Sequence, residues 1–241
     1  MAKALRLDES LIITRHGAAV LEDVSAAVIA DLHIGFEGVM AQKGLFLPKV
    51  QLEAIIENLE ALISEMGPDI LIVAGDLKHE FSKNISQEWS EVRRFLDFVL
   101  ERVELIVVRG NHDNYLGAIL AERGVPFVRK LEMGRWTIVH GHEMLEDWKG
   151  TLIMGHEHPS ISIRDEVGAV YRFPAFLYSR ERRILVLPPQ SIYASGTDVS
   201  AYSREDLLSP ILREFGLEGF EAYPIMEDLG VVDLGMRVGA V

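Results

Sequence analysis

An α/β fold is predicted for this 241-residue chain, and three features predict it. Short apolar runs recur up to residue 158, helical spacing fills two of the gaps between them, and each run ends in a polar cluster. Continuous apolarity over four or five residues suits strands buried on both faces. The order strand, helix, strand, helix, strand is that of βαβ units around a parallel sheet.

The elements follow in order. Ala26–Ala30 is the first strand and runs into Asp31-Leu32-His33. Leu52, Ile55, Ile56, Leu59, Leu62, Ile63 and Met66 keep the i, i+3, i+4, i+7 spacing of a helix, which Gly67-Pro68 stops. Ile70–Ala74 runs into Gly75-Asp76. A second helical pattern holds Trp89, Val92, Phe95, Leu96, Val99 and Leu100. Leu105–Val108 then leads to Arg109-Gly110-Asn111-His112-Asp113, Trp136–Val139 to His140-Gly141-His142, and Leu152–Met154 to Gly155-His156-Glu157-His158. Beyond this point the pattern loosens. Val170–Phe173 and Arg183–Leu187 read as strands, 196–198 as loop, 204–215 as a short helix and Tyr223–Val232 as a last strand. No linker rich in Gly, Ser or Pro divides the chain, so one domain over residues 1–241 is expected, with a motif core at 26–158 and strands plus a short acidic tail at 159–241.

Composition narrows the chemistry. With no cysteine, thiolate zinc sites, iron–sulfur clusters, disulfides and a cysteine nucleophile are all excluded. Any metal must be held by His, Asp, Glu, Asn or backbone. The absence fits a reducing compartment, and cytoplasmic localisation is expected. No apolar run nears the ~18 residues of a membrane span. Lys3 and Arg6 are followed by Asp8 and Glu9 before an apolar segment can form, so no signal peptide is expected. The net charge of −13 makes the chain a poor passive binder of polyanions. Residues 202–241 add to the deficit, with three arginines against eight carboxylates. The apolar residues near the carboxyl end, Val231-Val232 and Val238–Val241, suit an edge strand or frayed terminus better than a partner surface.

In open α/β sheets, ligands bind outside the carboxyl ends of the strands. Asp31, His33, Asp76, Asn111, His112, Asp113, His140, His142, His156 and His158 all fall there, with His79 beside them, and only His16 of the eight histidines stands apart. These are hard-to-borderline ligands, suited to Mn, Fe, Zn, Co or Ni. Each fragment alone has an ordinary explanation, since Gly-Asp is common turn chemistry and Gly-Asn-His-Asp can be an Asx-turn. Five in succession, each closing its own strand, are not explained by loop composition. They exceed the needs of one tetrahedral ion and suit two ions roughly 3.5–4 Å apart.

The series Asp-x-His, Gly-Asp, Gly-Asn-His-Asp, His-Gly-His and Gly-His-x-His, over residues 31–158, resembles the calcineurin-like metallophosphoesterase superfamily. The short length, the Gly75–His79 sequence and Gly196-Thr197-Asp198 look more like its small archaeal and bacterial branch related to SbcD nucleases, including proteins encoded beside DNA ligases. The resemblance implies a four-layer αββα sandwich of two mixed sheets flanked by helices. It implies Asp31, His33 and His158 as ligands of one divalent ion, Asn111, His140 and His156 of another, and Asp76 as the bridge. His112 resembles the acid that protonates the leaving oxygen, with Asp113 orienting it. Manganese is the expected metal, with Fe, Zn, Ni and Co as alternatives.

The implied activity is phosphoester hydrolysis, with a phosphodiester of a nucleotide, nucleic-acid end or short single strand as the expected substrate. A phosphomonoesterase or phosphoprotein phosphatase on the same site, and a non-catalytic scaffold, are the alternatives. No ligand position is missing, which favours an enzyme. Arg109, Lys78, His79 and His142 are candidates for contacts to substrate or to the ligands. Long duplex DNA is disfavoured, because the acidic tail supplies no phosphate-neutralising surface.

Overall fold

The computed structural model describes residues 4–80, 85–194 and 196–239. The chain begins as an antiparallel meander of β1 (Ala4–Arg6), β2 (Leu11–Thr14), β3 (Ala19–Leu21) and β4 (Ala26–Ile29). The first three are absent from the sequence reading, which begins at Ala26. From β4 the pairing becomes parallel. Helices α1 (Phe36–Gln42) and α2 (Gln51–Met66) lead to β5 (Ile70–Ala74), α3 (Ser86–Leu100) to β6 (Glu104–Val108), and α4 (Leu116–Glu122) to β7 (Phe127–Val128). The seven strands lie side by side in chain order. Helix α2 buries Leu52, Ile55, Leu59 and Leu62, the stripe its spacing predicts, and Gly67 ends it in the left-handed region at φ +57°.

The second sheet holds β8 (Leu131–Met133), β9 (Trp136–Val139), β10 (Thr151–Met154), β11 (Pro159–Arg164), β12 (Val170–Ser179), β13 (Ile184–Val186) and β14 (Thr197–Asp198). After helix α5 (Pro210–Phe215) come β15 (Glu221–Met226) and β16 (Gly230–Val231), with β15 paired to β12. This sheet is mixed: β9, β10 and β13 are parallel, and β11, β12 and β13 alternate in direction.

Period-two alternation sorts the apolar residues into layers. Ala27, Ile29, Leu71 and Val73 face α2 and α3 in one core. Their neighbours Ala26, Val28, Ile72 and Ala74 meet Trp136, Ile138, Ile153 and Leu185 of the second sheet. On that sheet's far side, Leu152, Met154, Leu177 and Val186 pack under Ile211 and Leu212 of α5. Helices, sheet, sheet and helix thus form the αββα sandwich, with a thin fourth layer.

Three expectations in the second half change. The helix at 204–215 is a single tight turn at Arg204–Asp206 followed by α5, because Pro210 at the first helical position starts a new helix. The last strand is a hairpin, β15 and β16, rather than one run. Thr197-Asp198, read as loop, pairs in parallel with Pro159-Ser160. Val231, on the edge strand β16, and Val238 are buried, and Val232 is half-buried. Ala240 and Val241 lie outside the described residues.

Candidate metal centre

Each of the five strands β4, β5, β6, β9 and β10 ends at one edge of the sandwich, and the polar clusters follow directly. Their backbone is unusual. Eight non-glycine residues among those described have positive φ, and five are Asp31 (+58°), His33 (+48°), Asp76 (+52°), His156 (+69°) and His158 (+48°). The left-handed region costs such residues about 1 kcal/mol or more each, and surrounding structure must hold them there. The motif glycines serve close approach. A Cβ on Gly110 would lie 2.1 Å from Asp76 Oδ1, and one on Gly155 would lie 2.6 Å from Asp31 Oδ2. Only hydrogen fits at either position.

The side chains converge in two groups. The donor atoms of Asp31, His33 and His158 lie within 4.8 Å of one another, as do those of Asp76, His140 and His156. Asp76 Oδ2 is 3.3 Å from His140 Nε2 and 3.9 Å from His33 Nε2, so it stands between the groups. Asn111 Oδ1 lies 3.0 Å from His140 Nε2 and joins the second group. A third grouping, His33, His79 and His112, adjoins the first. All seven residues expected as ligands are therefore brought together.

The donor set fits divalent cations. Asp31 is fully buried, and its Oδ1 has no hydrogen bond, although His158 Nε2 is 3.2 Å away. His33 Nε2 and His158 Nε2 face each other at 3.4 Å. The other oxygen of Asp31, Oδ2, accepts from the His156 amide at 2.9 Å, and a cation beside Oδ1 would satisfy the remaining lone pairs. Nitrogen and carboxylate donors without thiolate suit Mn, Fe, Zn, Co or Ni.

Charge is shared unevenly among these groups. Burial holds His33 down at about 3, against the pull of Asp76 and Asp31. Burial, with the nearby His140, lowers His156 to about 4. Burial also opposes protonation of His140, but Asp76 and Asp31 outweigh it and carry this ring up to about 9. Burial alone would raise Asp76. His140, His33 and His112 together hold its carboxyl well below the usual carboxylate range. A cation ligated by His140 Nε2 would take the place of a proton there, while Nδ1 keeps the Ala74 carbonyl at 3.0 Å.

Around this centre the expectations divide. The Nδ1 of His112 meets the carbonyl of His79, which leaves Nε2 facing the centre, 3.9 Å from Asp76 Oδ2. Asp113, expected to orient that ring, acts elsewhere. It accepts from the amides of Asp76 (2.9 Å), Gly110 (2.8 Å) and Lys78 (3.3 Å), and so ties the β5 and β6 loops together. Lys78 is fully buried, with Nζ on the Glu80 carbonyl and 3.7 Å from Glu88 Oε2. It braces its loop and does not face solvent. His142 stands aside from both groups, its ring 5.1 Å from that of His140 and 6.1 Å from that of His156. Arg109 is half-buried and donates to Asn114 Oδ1 at 3.0 Å.

Sequence reasoning misses the residues that hold the strained loops. Glu88, buried in α3, accepts from the amides of His79 (3.1 Å) and Glu80 (2.7 Å). Gln51, at the start of α2, donates to the carbonyls of Leu32 (2.9 Å) and His33 (2.6 Å) and accepts from Ser191 Oγ (2.8 Å). Ser191 in turn donates its amide to the Asp31 carbonyl at 3.0 Å. Glu157, between two histidines of the centre, points the opposite way and accepts from Thr197 Oγ1 (2.6 Å) and the Ser209 amide (2.9 Å). One signal was present: Pro188-Pro189-Gln190-Ser191 also follows an apolar run, β13, at its carboxyl end.

A family model described as calcineurin-like phosphoesterase matches residues 24–179. Among solved structures, the Pseudomonas putida nuclease MPE is similar with a TM-score of 0.67 and 18% identity, over 92% of this chain and 96% of that one. The E. coli phosphoesterase YfcE gives a TM-score of 0.41 at 19% identity, over 71% of this chain and 83% of its own. No curated protein matches in sequence.

Proposed function

The chain belongs to the calcineurin-like phosphoesterase family, and from that premise we propose that it is a dinuclear metal phosphodiesterase acting on nucleotide or short single-stranded nucleic-acid phosphodiesters. It is a metal-dependent hydrolase of ester bonds. The observation that carries the finer reading is the pair of donor groups with Asp76 between them and His112 beside them. Because both sheets contribute donors, we take the whole described chain as one functional domain.

In this reading Asp31, His33 and His158 would hold one divalent ion, Asn111, His140 and His156 would hold the other, and Asp76 would serve both. Manganese is the proposed metal. When bound, such ions acidify a water and neutralise charge on phosphoryl oxygens. The protein's own groups do the rest. The His79 carbonyl engages Nδ1 of His112, so Nε2 is the nitrogen that presents a proton to the leaving oxygen. Asp113, through the amides of Asp76 and Gly110, fixes the two loops whose side chains must stay in register. Gln51 and Ser191 hold the carbonyls of Asp31 and His33, so their side chains stay turned to the centre. A neighbour of the same fold is described as a nuclease, which supports testing nucleic-acid diesters first.

The test compares bis-p-nitrophenyl phosphate with p-nitrophenyl phosphate under manganese and under chelator. Diester turnover that needs metal is expected. Rapid turnover of the monoester alone overturns the diesterase reading.

A further inference from the structure

Beside the metal centre lies a cavity of about 220 Å³ lined by Arg109, Gly110, Asn111, Arg129, His142 and Glu143. Its two arginines arise from neighbouring strands. β6 and β7 pair in parallel with Val108 opposite Val128, and the Arg109 amide donates to the Val128 carbonyl at 2.7 Å. Arg109 and Arg129 are thus the next residue on each strand, leaving the same sheet edge side by side. Asn111 is the wall shared with the centre, through its 3.0 Å contact to His140.

The charges on these walls are not neutralised in the usual way. The chain carries −13, and the adjacent Lys130 has a carboxylate partner, Glu132 at 2.7 Å. Arg109 donates only to the neutral Asn114 side chain. Arg129 is exposed and has no hydrogen-bond or ion-pair partner among the described residues. The one carboxylate on the wall, Glu143, is itself exposed and leans toward His142 at 3.7 Å. A second cavity of about 180 Å³ continues past Arg129 toward Met144 and Leu145, so the groove does not end at the arginines.

We infer that Arg109 and Arg129 form a subsite for the phosphate next to the scissile one, which makes a substrate with at least two phosphates the preferred class. The inference rests on the phosphodiesterase reading. A guanidinium takes a phosphate in a bidentate, charge-assisted way, and two on adjacent strands give the site both strength and direction. The subsite also reconciles a strongly acidic chain with a polyanionic substrate, because the attraction is confined to one groove.

The experiment compares Arg129→Gln with the wild type, both manganese-loaded, on a short single-stranded oligonucleotide and on bis-p-nitrophenyl phosphate, which has one phosphate. The ratio of kcat/KM for the oligonucleotide to that for the small diester is expected to fall roughly tenfold, through KM. Glu143→Gln is expected to move the ratio the other way. An unchanged ratio in Arg129→Gln overturns the subsite. If the wild type turns over neither diester, the function proposed above has failed. The subsite is then judged by fluorescence anisotropy of the same oligonucleotide. There a Kd raised in Arg129→Gln, with a salt slope shallower by about 0.7, supports it and an unchanged Kd overturns it.

Discussion

Two buried histidine-containing sites among the described residues are built on opposite principles. His16, in the turn after β2, has both ring nitrogens engaged, Nδ1 with Asn58 Oδ1 at 2.7 Å and Nε2 with Glu65 Oε2 at 3.2 Å. Asn58 donates back to the His16 carbonyl and to Gln190, and Arg15 closes on Glu65. Every group there has a complementary neighbour. At the strand ends, by contrast, metal-ligating atoms crowd together. Asp31 Oδ1 has no hydrogen bond, and two imidazole Nε2 atoms meet at 3.4 Å. The first cluster is complete as protein, and the second gathers donor atoms that could hold metal. Residue type does not separate them, since both contain histidine and carboxylate. Satisfaction of the polar atoms does.

The contrast is broken most severely at Asp76. Asp76→Ala removes the residue that serves both groups, and activity is expected to fall roughly a thousandfold or more in a chelator-controlled diester assay. The fold should survive, because the loss relieves crowding of like donors. His112→Ala comes next, with a loss of about 10²–10⁴-fold and metal content retained. The loss should be larger for an alkyl diester than for a nitrophenyl one, whose leaving group needs no proton. Equal losses on both would remove His112 from the proton-donor role. Glu88→Gln is expected to cost about 10- to 100-fold with the same leaving-group bias, because Glu88 holds the loop whose His79 carbonyl aims His112.

The satisfied cluster should respond in stability and not in chemistry. His16→Ala leaves Asn58 and Glu65 without their partner and is expected to cost about 1–3 kcal/mol in denaturant unfolding, with metal content unchanged. Loss of metal in this variant would erase the distinction between the clusters. The smallest effect is one of pH. The His16 hydrogen bond, with Arg15, holds the Glu65 carboxyl down from 4.5 to about 2. A depressed folded-state pKa stabilises above the unfolded value and is lost as pH falls through the folded one. The stability gap between wild type and Glu65→Gln should therefore be full near neutrality and shrink as the pH drops from about 4.5 to about 2.

Much of this was legible in the letters, for identifiable reasons. β4, β5 and β6 are buried on both faces, so Ala26–Ile29, Ile70–Ala74 and Leu105–Val108 read as unbroken apolar runs with ligands at their ends. The second sheet is mixed, and its two-residue strands, such as Thr197-Asp198, carry no period at all. The supporting carboxylates were hidden for another reason. Glu88 sits in a helix among Gln87, Glu91 and Arg93, where it reads as solvent-facing, yet it is buried under the 78–80 loop. Glu157 is masked by the histidines on either side. Asp113 was read as a partner of the adjacent His112 ring, whereas its bonds run to amides brought from β5 by the fold. Arg129 follows a strand of two residues, too short for the strand-end rule to reach.

Metal stoichiometry tests the central claim most directly. Protein loaded with manganese, desalted and assayed by elemental analysis should carry two ions per chain, and Asp31→Ala should carry fewer. A wild-type chain that retains none, or an Asp31→Ala chain that retains both, would contradict the reading of the strand-end cluster as a dinuclear centre.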